Sequence, residues 1–347
     1  MDWTTIHRVI GERRLDVIDF DLARSLLRGM IRARVFDERA FALQRQGWMS
    51  GYPPFRGQEA SQVGAATAMA DADWLVPTYR SNAMLLSRGV PMADLLRFRR
   101  GFPEFDPDVD VPIVPQAVPI ASQVPHAAGL GMAAGYRGTD EAVVCYLGDG
   151  ATSEGDFHEG LNIAGVFGAP VVFLCENNGW AISTPASRQT ASDTIAQKAA
   201  AYGIEGVRVD GTDPLAVYEV VTASLRAARA GTPVLVESLT YRHGPHTTSD
   251  DPGRYEDRAD FPEWRTRDPV ERLAEYLLEG AVVDGSSEET VRAEASEEFD
   301  AARAEAEASE RDPDDLFDHV YAEVPPLLEP QRAQLDASLE RHGDPYD

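Results

Sequence analysis

Lysine is almost absent from the sequence: Lys198 is the only one among 32 Lys and Arg residues, and all the others are arginines. Positive charge is scarce in general, because 58 Asp and Glu residues leave a formal net charge of −26 at pH 7. A phosphate backbone repels a protein with this charge, which argues against nucleic-acid partners. The shortage of lysine indicates either a salt-adapted organism or a genome rich in G and C, and neither explanation assigns a function.

Cysteine is also scarce, with only Cys145 and Cys175 in the chain. Both stand inside apolar segments typical of strands, so we expect buried, reduced thiols rather than a disulfide or a redox site. The sequence has no run of about 18 apolar residues, which excludes a membrane-spanning helix. Its first residues also lack the apolar core of a signal peptide, so we expect a cytoplasmic protein with no membrane partner.

The order of apolar segments predicts an α/β protein with a parallel sheet flanked by helices. Short apolar runs typical of strands lie at 142–147, 171–175, 207–209 and 234–239. The segments between several of these runs have helical spacing of apolar residues, as expected for strand–helix alternation. The sequence therefore predicts strands buried on both faces.

The remaining segments predict the domain organisation. Residues 15–47 have the pattern of a long amphipathic helix or helix pair, and the proline-rich segment 101–119 predicts a surface loop. Acidic, alanine-rich helix follows from residue 268, which is typical of a solvated helical face, with an acidic docking surface as the alternative. We expect an α/β domain at 1–267 and a helical C-terminal extension at 268–347.

A single carboxylate stands between two glycines where the first predicted strand ends, in the segment YLGDGATSEGDFHEG at 146–160. Ligand sites of parallel sheets lie at the carboxyl ends of strands, so Gly148-Asp149-Gly150 predicts a strand-to-helix corner beside a ligand. We expect the glycines to allow positive φ and close approach of the backbone. Asp149 would then supply an anionic oxygen.

The next predicted strand ends in a second polar corner, Glu176-Asn177-Asn178-Gly179-Trp180. Because neighbouring parallel strands end at the same edge of a sheet, we expect Asp149 and Asn178 to lie close enough to bind one cation. Carboxylate, amide and carbonyl oxygens are the ligands of Mg²⁺ or Ca²⁺, and Mg²⁺ commonly completes its shell with phosphate oxygens and water.

This pair of corners resembles the thiamine diphosphate motif, in which Asn-Asn follows Gly-Asp-Gly; here Asn178 comes 29 positions after Asp149. From about residue 20 to 270, the chain is similar to the α subunit of the E1 component of 2-oxo acid dehydrogenase complexes. The matching segments are YPPFRGQEASQVG at 52–64, PTYRSNAMLLSRGVP at 77–91, GDFHEGLNIAGVFGAPVVFLCENNGWAISTP at 155–185 and YRHGPHTTSDDPGRY at 241–255. The resemblance implies the thiamine diphosphate-binding fold and oxidative decarboxylation of pyruvate or branched-chain 2-oxo acids.

The resemblance also implies a set of site residues. Mg²⁺ is expected on the side chains of Asp149 and Asn178 and the main-chain carbonyl of Trp180, and His246 is expected to be catalytic. The expected cofactor-binding residues are Tyr79, Arg80, Ile120, Gly148, Gly150, Ala151, Asn178, Arg242 and His246. The cations among them would neutralise the charge that a diphosphate keeps beside Mg²⁺ and a carboxylate.

Several of these residues have ordinary alternatives. Arg80 has the pattern of a surface ion pair, Arg242 that of an anchor for its own loop, and Ile120 that of a core residue. Glu176 stands where branched-chain relatives often carry arginine, which removes one possible diphosphate contact and makes the site depend more on Arg80 and His246.

Other positions in the matching segments have weaker expectations. Ser122 and Gln123 match a segment that in some relatives holds a monovalent cation, whereas His126 is expected to be structural. The polar loop 243–258 is expected to become ordered when cofactor binds. Mitochondrial relatives are phosphorylated in this loop, but hydroxyl groups are ordinary in polar loops, so we expect no regulation here.

The resemblance implies partner proteins as well. Activation of thiamine diphosphate requires a carboxylate at its pyrimidine ring, which the β subunit supplies in this family. Glu59 opens a helix and is expected to be a charge partner of the helix N-terminus instead. We therefore expect an α2β2 heterotetramer that passes the acyl group to a lipoyl E2 partner. The alternatives are the α subunit of an acetoin dehydrogenase and a scaffold subunit that binds no cofactor.

Overall fold

A parallel five-stranded sheet with helices on both faces lies at the centre of the fold, in the strand order β1-β2-β3-β7-β6. The structure is a computed structural model that describes residues 3–14, 17–104, 111–116, 118–283, 285–310 and 312–343. The strands of the sheet are β1 (Trp74–Val76), β2 (Val143–Gly148), β3 (Val171–Asn177), β6 (Glu205–Asp210) and β7 (Val234–Leu239). A separate two-stranded ribbon is formed by β4 (Trp180–Ala181) and β5 (Thr184–Pro185). The predicted parallel sheet is confirmed.

The helices before and between the strands form two layers. On one face lie α1 (Phe20–Arg45), α2 (Glu59–Ala68), α3 (Asn82–Ser87), α4 (Met92–Arg99), α7 (Pro214–Arg229) and α9 (Pro269–Glu279). On the other face lie α5 (Gln123–Arg137) and α6 (Gly155–Phe167). The remaining helices are α8 (Glu263–Thr266), α10 (Gly285–Glu307), α11 (Asp315–Asp318) and α12 (Glu329–His342).

Alternating residues of the central strands bury into the two layers. In β2, Val144 and Tyr146 face the α1–α2–α7 layer, whereas Val143, Cys145 and Leu147 face the α5–α6 layer. A strand covered on both faces is continuously apolar, which is why the sequence pattern predicted it. Among the described residues Cys175 is buried on the same side as Cys145, and both thiols are free, as expected.

Glycines permit close packing within the α5–α6 layer. A Cβ on Gly160 of α6 would lie 2.9 Å from the main-chain carbon of Val124 in α5. A Cβ on Gly131 of α5 would lie 2.6 Å from the side chain of Val171 in β3. Helix α5 therefore approaches both α6 and β3 closely.

The structure differs from the sequence prediction in two elements of the first part of the chain. Of the predicted segment 15–47 the structure describes residues 17–47, and within these it has one α-helix, α1, which begins after Asp19. The Asp19 carboxylate accepts hydrogen bonds from the main chain of Asp21 and Leu22. The three-residue edge strand β1 was not predicted, because it is too short to show a pattern. Of the predicted loop 101–119, residues 105–110 and 117 lie outside the described residues.

The chain divides into two compact units after Ala306, rather than at the expected position 267. The reason is that α9 and α10 pack on the first unit, with the rings of Phe36 in α1 and Phe299 in α10 centred 5.8 Å apart. Acidic residues of α10 also pair with arginines of α1, for example Glu298 with Arg32. This acidic face is therefore partly an intramolecular contact rather than a fully solvated surface.

The second unit, Glu307–Asp347, contains α11 and α12. Within it, the guanidinium of Arg332 lies 5.3 Å from the ring centre of Phe317, and its Nε is 3.2 Å from a carboxylate oxygen of Asp314. Across the described residues of the whole chain, every helix is too short or too polar to cross a membrane.

Candidate active site

The loops after four neighbouring strands, β1, β2, β3 and β7, line one cavity of about 530 Å³. Its wall contains every residue predicted to bind cofactor or metal, namely Tyr79, Arg80, Ile120, Gly148, Asp149, Gly150, Ala151, Asn178, Trp180, Arg242 and His246. The parallel sheet explains this convergence, because all four strands end at the same edge. Residues that are far apart in the sequence thus share one concave surface.

The corner after β2 differs in detail from the expected strand-to-helix turn. Asp149–Ser153 forms a short 3-10 turn, and α6 begins only at Gly155. Positive φ is the wrong reason for the glycines, because Gly148 has a φ of −88° and Gly150 is not among the described residues with positive φ. Gly150 is required instead by its own chain, since a Cβ there would lie 2.8 Å from the Cβ of Ala181.

Asp149 and Asn178 are both buried in the cavity wall, with exposed fractions of 2% and 7%. Burial raises the pKa of Asp149 to about 6, while the nearby Arg265 and Arg242 and the main chain of Asn178 act against that rise. The Oδ1 of Asn178 accepts a hydrogen bond from the main-chain N–H of Trp180 at 3.1 Å. Carboxylate and amide oxygens can each accept more than one bond, so both side chains keep capacity for a cation.

Gln58, in the turn before α2, joins the two residues at the end of β3. Its Oε1 accepts a hydrogen bond from Nδ2 of Asn178 at 3.2 Å, and its Nε2 donates to Oε2 of Glu176. Burial raises the pKa of Glu176 to about 8, so this side chain is largely uncharged at pH 7. The glutamate that stands in place of an arginine therefore adds little negative charge to the cavity.

Arg80 and His246 are held together in the cavity wall. The Nη2 of Arg80 donates to Nδ1 of His246 at 3.0 Å and to the carbonyl of His246 at 2.9 Å, and Nη1 donates to the carbonyl of Pro54. Because a guanidinium can only donate, Nδ1 is the acceptor and the neutral imidazole carries its hydrogen on Nε2. Burial, together with Arg80 and Arg242, lowers the pKa of His246 to about 3.

Arg242 lines the same cavity and carries one unpaired donor. Its Nε donates to the carbonyl of Gly244 at 3.1 Å and its Nη2 to the hydroxyl of Tyr255 at 3.0 Å. Among the described residues its Nη1 is buried without a hydrogen-bond partner. An unpaired buried donor on a cation costs free energy, and an anionic ligand in the cavity would remove that cost.

The rest of the wall includes an apolar strip with unusual backbone conformations. Ile120 and Ile182 are about half exposed, with exposed fractions of 46% and 56%. Ile182 has a φ of +57° and Ala121 a φ of +68°, which are rare for residues with a Cβ. Such strain persists only where the surrounding structure fixes it, and it concentrates at binding sites.

Three residues considered in the sequence analysis lie outside this cavity. Glu59 is fully buried at the start of α2, where it pairs with Arg34 and accepts from the main-chain N–H of Gly57 at 2.8 Å. Ser122 and His126 lie at the beginning of α5, and Nδ1 of His126 donates to the carbonyl of Ser122 at 2.8 Å. Gln123 does line the cavity, and its Nε2 donates to the carbonyl of Tyr146 at 3.0 Å.

Sequence reasoning missed several residues of the cavity wall. They are Gln58, Arg99, Tyr146 and Ile182. Gln58 lies inside the segment YPPFRGQEASQVG, so the resemblance contained a signal for it. Ile182 follows Asn-Asn-Gly-Trp by two positions, and only its backbone conformation distinguishes it from an ordinary apolar residue.

Residues 27–314 match the model of the family described as dehydrogenase E1 component. The chain is 46% identical over 321 residues to the 3-methyl-2-oxobutanoate dehydrogenase subunit alpha of Mycobacterium tuberculosis, covering 92% of this chain and 88% of that protein.

Two pyruvate dehydrogenase E1 component subunits alpha are also similar. The one from Bacillus cereus is 38% identical over 323 residues, covering 91% of this chain and 86% of that protein. The one from Bacillus subtilis is 38% identical over 329 residues, covering 93% and 88%. Both the family match and these identities extend over the parallel sheet and the cavity. The chain therefore belongs to the dehydrogenase E1 component family, as an α subunit of the pyruvate or branched-chain type.

Proposed function

We propose that this chain binds Mg²⁺–thiamine diphosphate in the cavity at the carboxyl edge of the sheet and serves the oxidative decarboxylation of pyruvate or branched-chain 2-oxo acids. The E1 family uses thiamine diphosphate, which supplies a nucleophilic carbon that attacks the 2-oxo group and stabilises the negative charge left by loss of CO₂. The observation that carries the proposal is the convergence of Asp149 and Asn178 with the arginines Arg80 and Arg242 on a single cavity.

The polar corner residues fit a magnesium ion. Asp149 and Asn178 offer a carboxylate and an amide oxygen, and Trp180 follows them in the wall with its main-chain carbonyl. Within the described part of the chain, no group of three or more His, Cys, Asp or Glu side chains is placed to hold a metal. A metal here would therefore take its remaining ligands from diphosphate and water, as Mg²⁺ does.

The two arginines of the cavity fit the diphosphate. Within the described chain, Arg80 and Arg242 have carbonyl, imidazole and hydroxyl partners instead of carboxylates. No carboxylate forms a direct ion pair with either guanidinium in the described chain, although Asp250 and Glu256 lie near Arg242. The buried Nη1 of Arg242 has no hydrogen-bond partner among the described residues. A diphosphate that keeps negative charge beside Mg²⁺ and Asp149 would satisfy both cations.

His246 would act at the reacting end of the cavity. Because Arg80 occupies Nδ1, His246 has a hydrogen at Nε2 that it can donate to an oxygen of the ligand or the 2-oxo acid. The half-exposed side chains of Ile120 and Ile182 would contact apolar parts of the ligands and exclude water from them.

We propose that the functional assembly is an α2β2 heterotetramer. The α subunits of the E1 family work with a β subunit and a lipoyl E2 component. In this chain Glu59 is the glutamate that opens α2, but it is paired with Arg34 and lies away from the cavity. The activating carboxylate would therefore come from the β subunit, and the acyl group would pass to the lipoyl group of E2.

The substrate assignment can be tested with the purified α/β complex. CO₂ release would be measured from pyruvate and from 3-methyl-2-oxobutanoate, and cleavage of acetoin would be measured in parallel. We expect turnover of at least one 2-oxo acid to exceed acetoin cleavage, with the higher identity to the 3-methyl-2-oxobutanoate enzyme favouring the branched-chain substrate. Faster cleavage of acetoin would assign the chain to an acetoin dehydrogenase instead.

The cofactor assignment needs a separate control. Titration calorimetry of the complex with Mg²⁺ and thiamine diphosphate should give saturable heat, and Asp149→Ala should abolish both this heat and the activity. The cofactor-free variant should unfold at the same temperature as the original complex or a higher one, because burial of the Asp149 carboxylate is unfavourable. Absence of heat and of thermal stabilisation in the original complex would favour a scaffold subunit.

A further inference from the structure

The only lysine of the chain lies behind the turn that follows β2. The Nζ of Lys198 donates to the carbonyl oxygen of Thr152 at 2.7 Å and to its hydroxyl oxygen at 3.1 Å. The hydroxyl of Thr152 in turn donates to the carbonyl oxygen of Asp149 at 2.9 Å. A continuous series of hydrogen bonds therefore connects the ammonium group to the main chain of the residue proposed to bind magnesium.

The position of this ammonium group is fixed from two sides. Lys198 belongs to the 3-10 segment Ala196–Tyr202, which packs beside α6 and β6. Its Nζ lies 5.6 Å from the ring centre of Phe157, a fully buried residue in the first turn of α6. A half-buried ammonium group near an aromatic ring is attracted to the ring, so the side chain has a defined place.

Arginine would not serve equally well at this position. An ammonium group is compact and carries three hydrogens around one nitrogen, so it can donate to two oxygens of the same residue. A guanidinium spreads its donors over a larger plane and needs partners arranged in that plane. Every other Lys or Arg residue of the chain is an arginine, so position 198 is the only one at which the sequence has a lysine.

We propose that Lys198 is a positioning residue for the turn Asp149–Ser153, which it holds through Thr152 in the conformation that presents Asp149, Gly150 and Ala151 to the cavity. Neither Lys198 nor Thr152 lines the cavity, so the lysine acts through the turn and not by contact with the ligand. The inference rests on the proposed function, since the shape of this turn matters for activity only if the cavity binds Mg²⁺–thiamine diphosphate.

The first measurement is cofactor affinity in the α/β complex. Lys198→Met keeps the length of the side chain and removes its donors, and we expect it to raise the Kd for Mg²⁺–thiamine diphosphate roughly 10- to 100-fold. The kcat at saturating cofactor should stay within about twofold of the original value, because the reacting groups are unchanged. Lys198→Arg, which keeps the charge but not the geometry, should give an intermediate Kd.

The matched control is Arg226→Met. Arg226 lies in the last turn of α7 and is exposed, and its replacement removes the same charge and introduces the same side chain. We expect this variant to bind the cofactor as the original complex does. A loss of affinity equal to that of Lys198→Met would show a general charge effect and would overturn the positioning role.

The second measurement does not require cofactor. Amide hydrogen exchange in the cofactor-free complex should be faster at residues 149–153 in Lys198→Met than in the original protein, and unchanged in β3 and β7. Faster exchange throughout the sheet would show a purely structural role, and unchanged exchange at 149–153 with unchanged Kd would show no role. Either result overturns the inference.

The two measurements also separate this inference from the proposed function. If the original complex gives no heat with Mg²⁺ and thiamine diphosphate, the proposed function fails. The exchange of residues 149–153 in the cofactor-free complex still shows in that case whether Lys198 holds the turn.

Discussion

Two of the sites that bury arginine side chains differ in the partners they give to the charge. The first, which we call the paired cluster, consists of Arg34, Glu59 and Asp268. Arg34 contacts both carboxylates, with 2.9 Å and 3.1 Å from its two terminal nitrogens to the two oxygens of Asp268. The paired cluster connects α1, α2 and α9.

The second site, which we call the cavity cations, consists of Arg80 and Arg242. Their partners in the described chain are carbonyl oxygens, the imidazole of His246 and the hydroxyl of Tyr255. The effect on pKa differs accordingly. Burial lowers the pKa of Arg34 but Glu59 and Asp268 raise it above the usual value, whereas burial lowers the pKa of Arg80.

The difference in partners indicates that the paired cluster stabilises the fold and that the cavity cations bind a ligand. A buried cation with carboxylate partners stabilises the fold and has no charge left for a ligand. A buried cation whose hydrogen-bond partners are all neutral lowers the stability of the ligand-free protein, and it binds an anionic ligand more tightly for the same reason. Substitutions in the two sites should therefore change different measured quantities.

Arg34→Met should give the largest effect, and it should be an effect on stability. The change leaves Glu59 buried without its cation, which costs about 3–5 kcal/mol in the free energy of unfolding. Denaturant unfolding of the α/β complex measures this loss. The control is Arg28→Met, which breaks the exposed pair with Glu294 and should cost less than about 1 kcal/mol. Equal losses in the two variants would contradict the distinction.

His246→Ala should lower kcat while leaving assembly with the β subunit intact. The variant loses the Nε2 hydrogen at the reacting end, so we expect kcat for the 2-oxo acid to fall by roughly 10²-fold. Assembly with the β subunit, measured by sedimentation, should be unchanged. His319→Ala, at an exposed position of the second unit, is the control and should keep full activity. An unchanged kcat in His246→Ala would remove this residue from the reaction.

Arg242→Met should weaken cofactor binding without destabilising the fold. The lost charged hydrogen bonds predict a Kd for Mg²⁺–thiamine diphosphate that is higher by roughly 10- to 100-fold. The unfolding temperature of the cofactor-free complex should not fall, because no carboxylate of the described chain forms a direct ion pair with Arg242 that the substitution would break. Arg254→Met, an exposed arginine of the same loop, is the control. A lower unfolding temperature with normal affinity would place Arg242 with the paired cluster.

The smallest expected effect is a change in proton uptake on cofactor binding. Burial and the two cavity cations hold the pKa of His246 at about 3 in the free protein. A bound diphosphate favours the charged imidazole and therefore raises the pKa of His246. Cofactor binding then takes up protons, and the uptake increases as the pH falls toward the raised pKa. Calorimetry at pH 6 in two buffers should give about 0.1–0.5 proton more uptake than in His246→Gln. Equal uptake in both proteins would mean that no anion lies near the imidazole.

The central strands and the two polar corners could be predicted from the sequence because their signals are local. A strand buried on both faces is apolar throughout, as Val143–Gly148 is. A glycine and a carboxylate at the end of such a strand indicate a ligand site. Parallel pairing then brings such corners to one edge. The same reasoning gave the wrong cause for Gly150. A Cβ at this position would collide with Ala181, and that contact exists only in the folded chain.

The remaining features of the site depend on contacts that no local pattern contains. Gln58 meets Asn178 across 120 positions, and Lys198 meets Thr152 across 46. Strand β1 is three residues long, so neither alternation nor length distinguished it from a loop. The end of the first unit at Ala306 likewise depends on packing, because the acidic pattern of α10 does not show that arginines of α1 face it.

The most direct test of this account is a density map of the α/β complex with Mg²⁺ and thiamine diphosphate bound. The account predicts one magnesium ion with a carboxylate oxygen of Asp149 and Oδ1 of Asn178 each at about 2.0–2.1 Å, and the diphosphate facing Arg80 and Arg242. A map in which the cofactor binds elsewhere, or in which these two side chains do not share an ion, would contradict it.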